Sequence, residues 1–301
     1  MEQLLVGRGR EGVLVVQKTE TEFLLLSTSV QGITRGPIAE LPSTLEKAKC
    51  GELVEAKLSS GEYHWRIWRT GAPGPNMLGD EKRAVWLSTV RATRMIYDRM
   101  NTLFAAVEPS PSQRDTFGFL QREIIVLACT EVESAWRSVL SAHTTPIDPG
   151  SKRWSTKDYV RLPKPMRLDE WTVSLSVHRD FGPLSPFKGW DDDKPTQSLP
   201  WYDAYNAVKH GREDSLHTAT LGNVVDAMAA AFIMTVAQFG FTHINGTGPF
   251  SSASIFHPDA FQVLESPNWS PTEVYIKPKK DGLTRGSWLG HEDWTPIPCT
   301  M

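Results

Sequence analysis

Residues 219–241, ATLGNVVDAMAAAFIMTVAQFGF, constrain the fold more than any other stretch of the chain. Coiled at 3.6 residues per turn, this run is apolar on nearly every side, and Asp226 is its single charge. A helix of that kind must be surrounded, either by lipid or by other protein elements. At about 20 residues it is long enough to cross a bilayer. It nevertheless carries Asn223, Asp226 and Gln238 inside the run, and neither a basic cluster nor an aromatic belt marks its ends. The centre of a helical bundle is therefore the expected environment, with no membrane partner. Asp226 is either buried with a donor or an acid of the helix's first turn, where the dipole favours it, and the second is the preferred reading.

Such a bundle needs other long helices, and the sequence supplies them. Residues 81–106 and 116–141 are predicted helical, followed by shorter or more apolar helices at about 199–211 and 218–241. Residues 143–197, rich in Pro and Trp, interrupt the bundle as an insertion with one strand-like stretch, EWTVSLSVH. Before the bundle, GVLVVQK, EFLLLST, ELVEAKL and EYHWRIW read as short strands of a small sheet or barrel. The Gly/Pro-rich GAPGPNMLGD, residues 71–80, separates the two regions. The expected class is α+β. A β-rich module spans 1–72, a helical bundle spans 78–245 with its insertion at 143–197, and an irregular tail, 246–301, packs on the body. Trp269, Trp288 and Trp294 argue against disorder in that tail.

A formal charge of −3 and a pI near 6.3 exclude a protein that coats nucleic acid through bulk charge, though not one with a local basic groove. Cys50, Cys129 and Cys299 lie far apart and form no CxxC pair, so neither a disulfide framework nor a zinc knuckle is expected. The opening MEQLLVGRGREG has no signal-peptide core, and a cytoplasmic location is the expectation. There is no Gly-rich phosphate loop, HExxH or GxSxG, and no cofactor or metal is expected. Asp191, Asp192 and Asp193 read as a solvated turn, and His178–Arg179–Asp180 lacks the other kinase signatures.

Candidate chemistry concentrates in two places. On a helical wheel for 116–141, Phe117, Leu120, Ile124, Leu127, Ala128, Ala135 and Val139 share one face. Glu131 falls within that face and Glu133 outside it. A carboxylate among apolar side chains costs several kcal/mol, on the order of a lost buried ion pair, unless it is paired or protonated. A cation should therefore reach Glu131. The nearest supply is WYDAYNAVKHGRED, residues 201–214, with Lys209, His210 and Arg212. The alternatives are a purely structural ion pair, or a face rotated enough to put Glu131 at the flank. Within 201–214, Tyr205, Asn206 and His210 could hold a phosphate or ribose, or direct a proton transfer. The same basic residues also suit an ordinary helix C-terminus.

REIIVLACTEVESAW, residues 122–136, followed by YNAVKHGRE, residues 205–213, and a long Ala-rich helix resembles the HEPN superfamily of nucleotide-binding helical bundles. The likeness covers roughly residues 80–242 in layout. Many members are metal-independent RNases whose Arg and His, four to six residues apart, meet across a homodimer. The resemblance implies a bacterial or phage protein that recognises RNA or a nucleotide, cleaving RNA as a defence effector. Arg212 would stabilise phosphate charge, and His217 or His210 would assist transfer from the 2′-hydroxyl. Arg137…His143 and Arg285…His291 also fall within that spacing range, but only Arg212…His217 lies near the start of the last bundle helix. The rival expectation is a non-catalytic interaction or dimerisation module in which Glu131, Tyr205, Asn206 and Lys209 form a structural network.

Overall fold

The computed structural model describes residues 3–10, 12–27, 33–74, 77–148, 153–211, 214–240, 260–276 and 293–301. The chain mixes helix and sheet and divides into two compact units. One comprises Met1–Tyr63, Arg69–Gly79 and Asn268–Ile297, and the other His64–Trp68, Asp80–Pro267 and Pro298–Met301.

The first unit is built on an antiparallel sheet. Its strands are β1 (Gln3–Gly9), β2 (Gly12–Lys18), β3 (Glu22–Ser27), β4 (Ile33–Pro37) and, after α1 (Leu41–Lys47), β5 (Val54–Glu55). The order is β4-β3-β2-β1-β5, with Leu5, Val16 and Leu25 in register across three strands. β2 reads as a continuous apolar run because both its faces are buried. Leu14 and Val16 join Phe23, Leu25 and Leu41 of α1 in one cluster. Val13 and Val15 on the opposite face are equally buried.

Residues from the far end of the chain complete this unit. Thr295–Pro296 pairs parallel with β6 (Glu62–Tyr63). The Arg8 guanidinium donates to Asn268 Oδ1 at 2.8 Å and to the Trp269 carbonyl at 3.1 Å. The Arg69 guanidinium lies 5.0 Å from the Trp269 ring and 5.7 Å from the Tyr275 ring, contacts each worth about 1 kcal/mol. Tyr275 N–H donates to the Thr70 carbonyl at 2.9 Å. That close backbone approach depends on Gly71, whose φ is +86°, since a Cβ there would sit 2.0 Å from the Tyr275 oxygen.

In the second unit, α2 (Asp80–Phe104), α3 (Phe119–His143), α6 (Pro200–His210) and α7 (Leu221–Phe239) form the bundle. Between α3 and α6 come the one-turn helices α4 (Thr156–Tyr159) and α5 (Pro163–Met166) and the strand β7 (Thr172–Leu175). In α7 every residue except Asn223 and Asp226 is buried. The helix that sequence alone could place in lipid is thus the core of this unit. α3 and α7 start side by side, because the Leu221 and Gly222 amides donate to the Thr116 and Arg114 carbonyls. α2 runs antiparallel to both. Arg99 pairs with Glu123 at 3.4 Å near one end, and the Thr93 and Thr235 hydroxyls meet at 3.2 Å further along.

Three sequence expectations change here. EYHWRIW is not one strand: only Glu62–Tyr63 is extended, and His64–Trp68 belongs to the helical unit, where Ile67 is buried in the core. The tail 246–301 is not a single element either. Residues 268–297 belong to the first unit, whereas β8 (Phe261–Glu265) pairs antiparallel with β7 and seats Phe261 against Tyr97 and Phe232. Third, the wheel of α3 is turned by roughly a quarter of a revolution from the expected one. Its buried side chains are Gln121, Ile124, Ile125, Ala128, Cys129, Val132, Trp136, Val139 and Leu140, while Phe117 and Leu127 are exposed. Trp136, Ile125 and Val132 together bury far more apolar surface than Leu127 would, which favours this rotation; Phe117 precedes the helix.

Gly71→Ala should destabilise the chain by more than about 2 kcal/mol, because it adds a backbone clash to the left-handed strain. Gly189→Ala, at φ +78° with no atom within 4 Å of a Cβ, should cost only about 1 kcal/mol. Urea unfolding of both variants beside the wild type checks the difference.

Candidate functional site

α3 and α6 run antiparallel, and a polar cluster lies along their contact. The Tyr202 hydroxyl donates to Glu133 Oε1 at 2.8 Å. About two turns further along α6, the Lys209 ammonium donates to the Tyr205 hydroxyl at 2.9 Å and lies 4.9 Å from the same ring. Both tyrosines are buried, and their rings are 5.7 Å apart. Asn206 turns back on its own helix, donating its amide to the Tyr202 carbonyl.

An aromatic wall closes one side of this cluster. Trp136 of α3 is fully buried, with Tyr159, Phe187, Trp190, Trp201 and Tyr202 around its ring. Tyr159 belongs to α4 and Phe187 and Trp190 to the insertion, so the Pro/Trp-rich segment packs on the bundle through this ring set. The Trp201 indole N–H donates to the Pro186 carbonyl at 2.8 Å and ties α6 to the same wall.

Glu133 is the negative pole of the cluster. Burial lifts the Tyr202 hydroxyl pKa far above the ordinary tyrosine value, and the charge and hydrogen bond of Glu133 raise it further. Tyr159 is pushed up to about 12, mainly by burial, with Glu133 next. The hydrogen bond to Tyr205 holds the Lys209 ammonium above its usual value, and Glu133 adds to that. Burial, followed by Glu133, raises the Cys129 thiol well above the normal range, so this cysteine is inert as a nucleophile.

The carboxylate engaged by 201–214 is therefore Glu133, not Glu131. On the observed wheel the two residues flank the buried stripe on opposite sides. Glu133 faces α6, and Glu131 lies on the α2 side. Glu131 is half-buried and its pKa is raised by burial, yet among the described residues it has no cation and no hydrogen bond. Arg212 lies outside the described residues. His210, in the last turn of α6, and His217, in a short 3₁₀ turn at Leu216–Thr218, are both exposed. Neither histidine is drawn into the bundle beside Glu131.

Other titratable groups are accounted for locally. His143 accepts at Nδ1 from the Cys299 N–H at 3.2 Å, so its Nε2 carries the proton donated to the Trp65 carbonyl at 2.7 Å. That tautomer is neutral and fully used. Oxygens of Asp191, Asp192 and Asp193 come within 4.8 Å of one another, but all three residues are exposed and Asp191 already accepts the Asp193 N–H. Asp226 lies beyond the first turn of α7, contrary to the sequence reading. Burial pushes its carboxyl up to about 6 despite the Arg114 charge. The Arg114 guanidinium is turned elsewhere, donating to the Phe181 carbonyl at 2.7 Å and lying 4.1 Å from the Phe181 ring.

Sequence reasoning missed Glu133, Tyr202, Tyr159 and Trp136 as members of the cluster. The signal available was Cys129, Val132, Trp136, Val139 and Leu140 at helical spacing, a stripe whose edge holds Glu133. Comparison with known proteins gives no match: no family model fits the chain, and no curated protein and no solved structure aligns with it.

Two outcomes follow from these environments. A Tyr202→Phe/Glu133→Gln double-mutant cycle in chemical denaturation should return a coupling of about 1 kcal/mol, that of a partly buried hydrogen bond to a charged acceptor. Asp226 has a folded pKa above its unfolded value, so the folded state binds more protons between about pH 4 and 6, and stability falls as pH rises through that window. Asp226→Asn should raise stability at pH 7 by about 1 to 2 kcal/mol, with half-burial discounting the full shift. It should also flatten the pH dependence of Tm between pH 4 and 7.

Proposed function

We propose that the helical unit is a HEPN-like module that recognises a phosphate-bearing ligand, RNA or a nucleotide, at the turn where α6 ends. The observation that carries this reading is the Lys209–Tyr205 hydrogen bond. It holds a fully protonated ammonium at the last turn of α6, next to exposed His210 and a short loop away from exposed His217. A buried tyrosine that fixes a lysine at a rim removes side-chain freedom before the ligand arrives, which favours binding of an anion. Arg212 follows His210 by two positions in the sequence and would add the planar donor set suited to phosphate oxygens.

Cleavage would need a histidine to take the proton from the ribose 2′-hydroxyl and a cation to stabilise charge on the phosphorane-like transition state. As the 2′-oxygen bonds to phosphorus, the P–O5′ bond would break and the leaving 5′-oxygen would take a proton from water. His217 or His210 would fill the first role and Arg212 the second, with no metal in the scheme. Glu133 would act at a distance, by keeping Lys209 charged and α6 seated on α3. The HEPN-like resemblance adds a prokaryotic defence effector as the biological setting.

A second reading, a non-catalytic interaction module, is favoured by one specific contact. Glu133 uses its hydrogen bond on Tyr202 within the α3–α6 contact, which is what a structural network would do. The two readings separate in one experiment. Purified protein is incubated with end-labelled RNA in EDTA, beside Lys209→Ala, Arg212→Ala, His210→Ala and His217→Ala, and binding is followed by fluorescence anisotropy. Under the first reading, Lys209→Ala and Arg212→Ala each weaken binding about tenfold, and at least one histidine variant abolishes cleavage while still binding. Binding without cleavage by the wild type leaves an RNA-recognition module. Absence of both supports the interaction module.

A further inference from the structure

α2 and α3 present an outward face whose apolar side chains have no cover among the described residues. Met95 of α2 is 70% exposed, and on α3 Phe119 is 73% and Leu127 40% exposed. These residues are not scattered. The Arg99–Glu123 ion pair fixes the register of the two antiparallel helices. Met95 lies one turn from Arg99 and Leu127 one turn from Glu123, in the direction that brings them to the same level. A further turn along, Arg91 comes level with Glu131. The face therefore reads, level by level, as Arg91 and Glu131, Met95 and Leu127, Arg99 and Glu123, with Phe119 beyond.

At the two charged levels the cations Arg91 and Arg99 are on α2 and the carboxylates Glu131 and Glu123 on α3, with Asp98 the exposed carboxylate of α2 beside them. Among the described residues neither Arg91 nor Glu131 has an ion-pair partner, and burial already makes the Glu131 charge costly. We infer that this α2–α3 face is an isologous interface between two copies of the chain, in which Arg91 of each copy pairs with the partner's Glu131 across a Met95–Leu127 centre.

Charge complementarity selects the geometry. A two-fold axis lying in the interface, parallel to the helices and between them, sets α2 of one copy over α3 of the other and keeps every level. Arg91 then meets Glu131, Met95 meets Leu127, and the two Arg99–Glu123 pairs merge into a four-charge network. The alternative axis, perpendicular to the helices, would lay α2 on α2 and α3 on α3 and bring Glu131 against Glu123, which like-charge repulsion disfavours. The extent is sufficient as well. Each helix has 25 residues, so the pair offers a strip about 37 Å by 20 Å, or about 750 Å² per copy, near the roughly 800 Å² per partner of a standard specific interface. A nucleic acid would not fit this face, since the carboxylate row on α3 would repel its phosphates. The face is on the flank of α3 away from α6, so the inference does not rest on phosphate recognition at the α6 turn.

Sedimentation velocity of the full chain tests the interface. The wild type should sediment at twice 33.7 kDa, and Leu127→Glu as a monomer with unchanged circular dichroism and unchanged RNA binding. Arg91→Glu alone and Glu131→Arg alone should each weaken dimerisation about tenfold or more by placing like charges together. Mixing those two variants should restore the dimer, because only the heterodimer then has opposite charges at both sites, a rescue that no effect within one chain can give. A monomeric wild type, a dimer indifferent to Leu127→Glu, a mixture that stays monomeric, or a dimer that dissolves on RNase treatment would each overturn the assignment.

Discussion

The burial of α7 is the constraint on which the rest of the helical unit depends. Of its nineteen residues only Asn223 and Asp226 escape the core, and nine are Leu, Ile, Val, Met or Phe. Each of those contributes about 2 kcal/mol when removed from water, so exposing even one face of the helix would cost more than a typical domain can supply. One flanking helix cannot cover such a cylinder. α3 runs beside it, α2 and α6 close two further sides, and Phe261 of β8 packs on Phe232. The insertion between α3 and α6 is then a consequence of geometry. It seals the end of the α3–α6 groove with Tyr159, Phe187 and Trp190 around Trp136.

Polar groups in this unit sit where that packing lets them. Glu133 stands at the margin of the buried stripe of α3, close enough to the interior to raise the pKa of Tyr202, Tyr159 and Cys129, and close enough to solvent to remain useful. A carboxylate at this depth organises a small field without the full desolvation cost of a central position. Lys209 belongs to the same field from the opposite helix. Together they make α6 a helix with a fixed seat and an exposed cationic end, the arrangement from which the proposed ligand site is drawn.

Much of this was legible in the sequence where the signal is local. The predicted helices 81–106, 116–141, 199–211 and 218–241 correspond to Asp80–Phe104, Phe119–His143, Pro200–His210 and Leu221–Phe239. Among the N-terminal strands the pattern located β2 and β3 and the two residues of β5, but not β1 or β4. What periodicity could not give was the rotation of α3, because Leu127 looks like a core residue until Trp136 is allowed to dominate, and Phe117, counted on the same face, precedes the helix. That single error moved the interior carboxylate from position 133 to 131. Pairings across the chain left no periodic trace at all. Nothing in EYHWRIW signals that β6 ends at Tyr63, and nothing in the tail signals that 260–267 and 268–297 belong to different units.

The departure of His64–Trp68 from the strand follows from α7 itself. A helix with only Thr220 and Asn223 at its start and Gln238 at its end cannot satisfy all of its own terminal backbone groups, so other segments must do so. At the N-terminus, Thr220 accepts the Asn223 N–H, and the Thr116 and Arg114 carbonyls accept the next two amides. At the C-terminus, Trp68 N–H donates to the Ala237 carbonyl at 2.8 Å. The Arg66 guanidinium donates to Gln238 at 2.6 Å and adds positive charge where the helix dipole is negative. Reaching that position puts Arg66 in the left-handed region at φ +66°, a strain of about 1 to 2 kcal/mol. Burial also lowers its pKa to about 10, still well above neutrality, so the charge is kept. The full burial of Ile67 and two satisfied helix-end acceptors offset that strain. A five-residue excursion from the strand is thus the C-terminal cap of a helix buried along almost its whole length.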